Sequence, residues 1–326
     1  MVVLSDSAPA WLIARPDKIG DLMCATPVFR AIRAQRPEVH IAALVSDYAA
    51  PVLQGSPFVD EVIAVPRGGG FGWQAIGELS ARLRGRFEVA VSLYATPPLS
   101  AALWRAAIPE RIAPASRWVQ VFYNQTVTQR RSRSDRHEAV YNLELFAPVG
   151  IETPAAIRGD LWVSEAERVE GAALLHGAGS RPGAVGILPA MGGSAAAWPE
   201  ERYVALACAL LKRGLPAVVI ADPAQIEAVK GRFGSETPVV AAPDLRRLGG
   251  VLANLRTLVG GSTGPLHMAA GAGTAVVGLY PSFPPSQTAT RWGPLGEGHC
   301  VLSPAVGEGM ETIGVEAVVA AVEAMP

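Results

Sequence analysis

The sequence predicts an α/β protein built of two Rossmann-like units. Short apolar runs alternate with amphipathic stretches, the pattern of βαβ units and a parallel sheet. The alternation runs to about residue 113, lapses, and restarts near residue 185. The chain has 326 residues and is 50% hydrophobic, enough to fill two cores rather than one.

The first half carries strand candidates at residues 11–14, 41–45, 61–65, 89–93 and 111–113. Helical periodicity falls between them, over 22–35, 47–53, 73–83 and 99–107. Pro27 lies inside the first helical stretch, so the helix should kink there or start afresh. Residues 114–135 are polar, aromatic and arginine-bearing with little periodicity, and a helix is expected over 136–147.

A connecting segment at about 150–182 holds Pro154, Pro182 and several glycines around one amphipathic helix, 164–175. Ser164 followed by Glu167 has the spacing of a capping box. Alternation resumes with strands at 185–188, 217–220, 239–241, 257–259 and 275–279. Helices are expected over 201–213, 224–233, 245–253, 265–272 and 313–324. The expected domains are therefore 1–155 and 156–326, and the last helix can pack back on the first.

Composition excludes several classes. Charged residues make up 17% and the net charge is −1, so nothing draws the chain to nucleic acid. The cations are mostly arginine, which suits phosphate and carboxylate; lysine occurs only at 18, 212 and 230. Cys24, Cys208 and Cys300 are far apart, form no CxxC pair, and are expected as buried free thiols in a reducing compartment. His40, His137, His176, His267 and His299 show no HxxxH or HExxH spacing, so no metal site is expected. The first ten residues lack a basic region followed by an apolar run, and no stretch of about 18 apolar residues exists. A cytoplasmic protein is expected.

Three segments carry chemistry. After the first strand comes Arg15-Pro16-Asp17-Lys18-Ile19-Gly20-Asp21, a tight turn into a helix. Asp21 either caps that helix or reaches a ligand, since open α/β sheets bind ligands where strand ends meet helix starts. The second unit opens with a glycine-rich turn, Met191, Gly192, Gly193 and Ser194, before Trp198-Pro199; its N–H groups suit a phosphate. The densest motif is Ser262-Thr263-Gly264-Pro265-Leu266-His267-Met268-Ala269-Ala270. Small residues and hydroxyls there precede a helix whose Pro265 is pre-set for the first position. Its open N–H groups and positive dipole end form a seat for pyrophosphate. The alternative is a well-capped helix with His267 bonded in the core.

These motifs, with Arg136-His137-Glu138-Ala139-Val140-Tyr141-Asn142-Leu143 in mid-chain, resemble glycosyltransferase family 9, which contains the ADP-heptose:lipopolysaccharide heptosyltransferases. The resemblance runs from about residue 11 to about 320 and keeps motif order. It implies a GT-B architecture, two Rossmann-like domains facing a central cleft, with the donor held mainly by the second domain. It implies inverting, metal-independent transfer of a heptose or related sugar from a nucleotide-sugar, ADP-linked in the family, to a lipopolysaccharide core or similar glycan precursor. No cofactor is implied, because the nucleotide-sugar is a co-substrate. A glycolipid acceptor implies a place in the cytoplasm or peripherally at the inner membrane.

The catalytic base of the family falls on Asp21. Donor contacts fall on Met191, Gly192, Gly193, Ser194, Ser262, Thr263, Gly264, Pro265, His267 and Gln225. Acceptor contacts are expected from Lys18, Gly20, His137 and the arginine run Arg130, Arg131 and Arg133. The chain departs from the family pattern at two points: Ala196 stands where many members carry a phosphate-binding lysine, and Gln225 where a ribose-binding glutamate is common. A nucleotide-sugar-binding protein without transfer activity, or a GT-B sugar-nucleotide epimerase, stays open as an alternative.

Overall fold

The computed structural model describes residues 8–67, 72–115, 118–189 and 196–326. The glycine-rich turn at 190–195 and the Gly68–Gly70 run lie outside them. The chain forms two units, Met1–Arg131 with Glu138–Ala155, and Ser132–His137 with Ala156–Pro326.

The first unit runs β1 (Ala10–Arg15), α1 (Ile19–Met23), α2 (Thr26–Gln35), β2 (His40–Ser46), β3 (Glu61–Val65), α3 (Trp73–Leu83), β4 (Val89–Ser92), α4 (Pro97–Arg105), β5 (Glu110–Pro114), β6 (Gln125–Val127) and α5 (Glu138–Glu144). Its six strands are all parallel, in the order β3-β2-β1-β4-β5-β6. The strand order therefore reverses between β1 and β4, the place where open parallel sheets leave room for a ligand at their carboxyl ends. β1 and β4 are buried on both faces, as central parallel strands must be. Leu12, Ala14, Leu44, Ala90 and Leu103 share one core.

Local chemistry explains the breaks. The helical stretch around Pro27 divides: α1 ends at Met23 and α2 starts afresh with Pro27 as its second residue. A proline there loses nothing, because first-turn N–H groups have no intrahelical partner. Thr26 Oγ1 donates to the Met23 carbonyl across the break (2.8 Å). The stretch expected as a helix over 47–53 tightens to one 3₁₀ turn, Ala50–Leu53.

The second unit runs α6 (Glu165–Gly177), β7 (Val185–Leu188), α7 (Glu200–Lys212), β8 (Ala217–Ala221), α8 (Ile226–Phe233), β9 (Val239–Ala241), α9 (Leu245–Leu252), β10 (Thr257–Gly261), α10 (Gly264–Gly271), β11 (Ala275–Leu279), α11 (Ala289–Trp292), β12 (Cys300–Leu302) and α12 (Val315–Glu323). This sheet is also parallel, ordered β12-β11-β10-β7-β8-β9. Its reversal lies between β7 and β10, so the turns after these two strands flank the crevice position.

Val318, Val319 and Val322 of the last helix, α12, enter the core of the second unit with Val185, Leu206 and Val277. Cys208 is exposed and Cys300 half-buried, while Cys24 is buried. Cys208 lies off the stripe of Tyr203, Leu206, Ala207 and Leu210 by which α7 is buried, so burial does not follow from residue type alone.

The helix pair α6 and α9 packs through two glycines. A Cβ at Gly171 would meet the Gly250 backbone, and one at Gly250 would meet the Glu167 carbonyl. Ser164 and Glu167 form the expected capping box. Arg246 adds a two-pronged bond to the same carboxylate (2.7 and 2.6 Å).

Candidate active site

The first cluster is built at the β1–β4 reversal. Arg15 is the last residue of β1 and only 3% exposed. Burying a guanidinium is costly unless every direction of the fork is satisfied. Here Nε donates to Asp17 Oδ1 (3.0 Å) and Nη2 to Asp21 Oδ1 (2.8 Å). Nη1 faces Glu138 Oε1 (3.0 Å), Asn142 Oδ1 (3.3 Å) and the Leu93 carbonyl just beyond β4 (3.4 Å). The face of Tyr94 lies 5.9 Å from the guanidinium carbon.

Asp21 does not cap α1. Lys18 holds the cap position and makes no side-chain capping bond; Asp21 is the third helical residue. Its carboxylate turns to Arg15 and stays 20% exposed, so it combines a fixed oxygen with access to solvent, as does Asp17 at 18%. Gly20 lies inside the helix and Lys18 is exposed at its start. Asp17 is held through its backbone as well, since Ser46 Oγ donates to its carbonyl (2.9 Å).

Charge accumulates here. Burial pushes the Asp17 carboxyl up to about 7, helped by the neighbouring Asp21 and Glu138 charges and opposed by Arg15. Burial works to lower Arg15, but Asp17, Glu138 and Asp21 outweigh it and lock the guanidinium charged.

Glu138, 1% exposed, is shared: Arg131 Nη1 donates to the same Oε1 (2.8 Å). Arg131 also reaches Gln129 Oε1 (2.9 Å) and stacks 5.5 Å from the centre of Tyr141. The arginine run is thus not one solvated face. Arg131 is built into the first unit, Arg130 is exposed, and Arg133 groups with the second unit. His137 also groups with the second unit, its Nε2 2.9 Å from the Gly293 carbonyl oxygen. An assignment of the whole run to the first domain is therefore corrected.

In the second unit, Ser262, Thr263 and Gly264 follow β10 at its reversal point. Pro265 is the second residue of α10, not the first. Thr263 occupies the cap position in extended conformation, φ −140° and ψ 161°, yet its side chain makes no capping bond. Its Oγ1 is buried without a hydrogen-bond partner among the described residues. A threonine placed to cap that does not cap leaves both its hydroxyl and the first-turn N–H groups open.

His267 is buried in α10. Burial, and secondarily His137, lower its imidazole to about 3, so it is neutral at physiological pH and brings no cation to the seat. Gln225 is exposed at the start of α8, beside Asp222, whose carboxylate accepts from the Ala224 N–H (2.8 Å). Ala196, in the position of the missing lysine, donates its N–H to Gln287 Oε1 (3.2 Å). Trp198 proves structural: it is 2% exposed, edge-on to Tyr203 at 4.8 Å, and donates to the Ile313 carbonyl (3.0 Å). Met191, Gly192, Gly193 and Ser194 lie outside the described residues.

No group of three or more metal-ligating side chains occurs among the described residues. Among them no helix is long and apolar enough to cross a membrane. Sequence reasoning missed Arg15, Glu138 and Asn142 as site residues. The pattern held a signal, an arginine at a strand end two residues before an aspartate, but its partners lie 123 and 127 positions away.

Comparison with known proteins places this architecture. A Haemophilus influenzae protein provisionally named a glycosyltransferase is 29% identical over 315 residues, covering 91% of this chain and 90% of the relative. The crystal structure of a family 9 glycosyl transferase from Veillonella parvula is 18% identical and superposes with a TM-score of 0.84, over 98% of this chain and 97% of that one. The ADP-heptose lps heptosyltransferase II of E. coli is 21% identical with a TM-score of 0.80, over 97% of this chain and 98% of that one. Both likenesses show a shared GT-B fold. The sequence model of glycosyltransferase family 9 (heptosyltransferase) matches residues 77–309, and the chain accordingly belongs to that family of enzymes.

Proposed function

We propose that this enzyme is an inverting, metal-independent transferase that moves a heptose or related sugar from an ADP-linked donor to a lipopolysaccharide core or similar glycan precursor. The observation that carries the reading is Asp21: a partly exposed carboxylate at a strand-order reversal, fixed through one oxygen by a buried arginine. In this role Asp21 takes the proton of an acceptor hydroxyl as that oxygen bonds to the anomeric carbon. The bond from the anomeric carbon to the diphosphate oxygen breaks, and the nucleoside diphosphate leaves with the electron pair.

The leaving charge needs an electrophile. The first-turn N–H groups of α10 and the Thr263 hydroxyl supply one. Gly264 and Ser262 fit the same seat, and neutral His267 supports it from within the helix. Met191, Gly192, Gly193 and Ser194 are proposed as further donor contacts, with Gln225 toward the ribose. The ADP-linked donor is suggested by a structure of E. coli heptosyltransferase WaaC with ADP and another with ADP-2-deoxy-2-fluoro heptose. The lipid-borne acceptor is suggested by the 24% identical lipooligosaccharide heptosyltransferase 2 of Haemophilus influenzae. Lys18 and Gly20, with Arg130, Arg131, Arg133 and His137, are proposed on the acceptor side; an acceptor on a lipid brings the enzyme peripherally to the inner membrane.

The test is turnover of ADP-heptose with a heptose-deficient lipooligosaccharide, in wild type and Asp21→Asn. The amide keeps the side-chain shape and an oxygen for Arg15 but cannot hold the proton. Turnover should fall about 100-fold or more, and EDTA should leave the wild-type rate unchanged. An Asp21→Asn enzyme working near the wild-type rate would refute the assignment of the base.

A further inference from the structure

We propose that Arg15 is the positioning residue of this reaction, clamped by Glu138 and Asn142 of α5 so that it holds Oδ1 of Asp21 and leaves Oδ2 to meet the acceptor hydroxyl. The proposal rests on the reading of Asp21 as the base. Arg15 is too buried to touch a substrate, at 3% exposure against 20% for the Asp21 side chain. It can act on the reaction only through the side chains it holds, and of these Asp21 is the proposed base.

The geometry makes that action directional. A guanidinium is a flat fork whose donors point in fixed directions. One edge is committed to Asp17 through Nε, and Nη1 faces Glu138, Asn142 and the Leu93 carbonyl. These contacts leave the plane no freedom to rotate, so the Nη2 bond at 2.8 Å fixes the Asp21 carboxylate rather than following it. Asn142 is anchored in turn, its Nδ2 donating to the Cys24 carbonyl just after α1 (3.2 Å). The helix that carries Asp21 and the helix that orients Arg15 are thereby tied together. Lysine offers one point charge and cannot serve these directions at once.

Stability alone does not explain the arrangement, because well-packed apolar groups often replace a buried ion cluster without loss. A base held within reach of a hydroxyl is different, since a misplacement of about 1 Å can cost about 100-fold in rate.

The experiment compares Arg15→Gln, Arg15→Lys, Asp21→Asn and the Arg15→Gln/Asp21→Asn double variant. It reads kcat and KM with ADP-heptose and a heptose-deficient lipooligosaccharide, and ADP affinity by calorimetry. Arg15→Gln should lose about 100-fold in kcat, with ADP affinity within about twofold. Arg15→Lys should recover part of that loss. The double variant should be no slower than Asp21→Asn, because residues acting as one unit are not additive.

If Asp21→Asn is slow and Arg15→Gln runs at the wild-type rate, the base stands and the positioning role falls. Losses that multiply in the double variant would place the action of Arg15 elsewhere and overturn the proposal. A near-normal Asp21→Asn enzyme would remove the base and this proposal with it. Should Arg15→Gln fail to fold, Arg15→Lys and Glu138→Gln carry the same comparison: reduced kcat with unchanged ADP affinity supports the role, and unchanged kcat overturns it.

Discussion

Replacing Glu138 by leucine should destabilise the first unit and leave the second unaffected. Glu138 Oε1 accepts from Arg15 at 3.0 Å and from Arg131 at 2.8 Å, and the side chain is 1% exposed. At a charge separation of about 4 Å and an effective dielectric near 20, each such pair is worth about 4 kcal/mol before desolvation. Removing one partner of a buried pair costs about 3–5 kcal/mol, because the remaining charge stays buried. Arg15 keeps Asp17 and Asp21, which places Glu138→Leu at the lower end, about 3 kcal/mol. Glu138→Gln keeps the shape and a neutral acceptor. Charge-assisted bonds are about twice as strong as neutral ones, so it should cost about half as much.

Native-state hydrogen exchange read by mass spectrometry resolves the two units. Peptides covering β1 and β4 should exchange about 100-fold faster in Glu138→Leu, by the rule of tenfold per 1.4 kcal/mol. Peptides covering β7 and β10 serve as the internal reference. Unchanged β1 protection in Glu138→Leu, or an equal loss in Glu138→Gln, would refute the account of Glu138 as the charge that anchors the cluster.

The remaining expectations concern pH, packing and the donor seat. The native Asp17 carboxyl at about 7 lies above its unfolded value near 4; the native state then binds more protons between these values, so the stability of the first unit should fall as pH rises through that window, and Asp17→Asn should flatten the dependence. Glu167 has the opposite sign: the Arg246 bond first, and the Ser164 capping bonds after it, hold it down at about 2, so its contribution is present above the unfolded value and lost as pH falls toward 2, a loss that acid titration of Arg246→Gln should show reduced. Gly171→Ala should cost at least about 1–3 kcal/mol by pushing α6 off the Gly250 backbone, measured by denaturation of the second unit. Gly264→Val should weaken ADP binding at least tenfold in calorimetry; unchanged affinity in the folded variant would move the donor seat away from α10.

Local chemistry determined most of the secondary structure. Period-two and period-3.6 patterns and turn residues act within a few positions, so residues 61–65, 185–188, 239–241 and 275–279 emerge as strands directly from their sequence. The same holds for the Ser164–Glu167 capping box and for the break at Pro27. Two short strands, β6 and β12, were not legible: Gln125-Thr126-Val127 and Cys300-Val301-Leu302 are only partly buried, whereas β9, as short and also at a sheet edge, is a largely buried Val-Val-Ala run.

The site divides in the same way. Asp21 and the Ser262–Gly264 turn could be singled out as candidates because the motifs that hold them are written in consecutive residues. Whether Asp21 caps its helix or faces a buried cation could not, since the answer is Arg15, whose orientation depends on Glu138 and Asn142 from a distant helix. The arginine run shows the same limit: its arginines look alike as letters, yet Arg131 is bound inside the first unit and Arg133 groups with the second. Sequence by itself determines what a short segment favours, because those energies are local. Tertiary structure decides which buried charges meet, because an ion pair gains its energy from groups that only the completed fold brings within 3.0 Å.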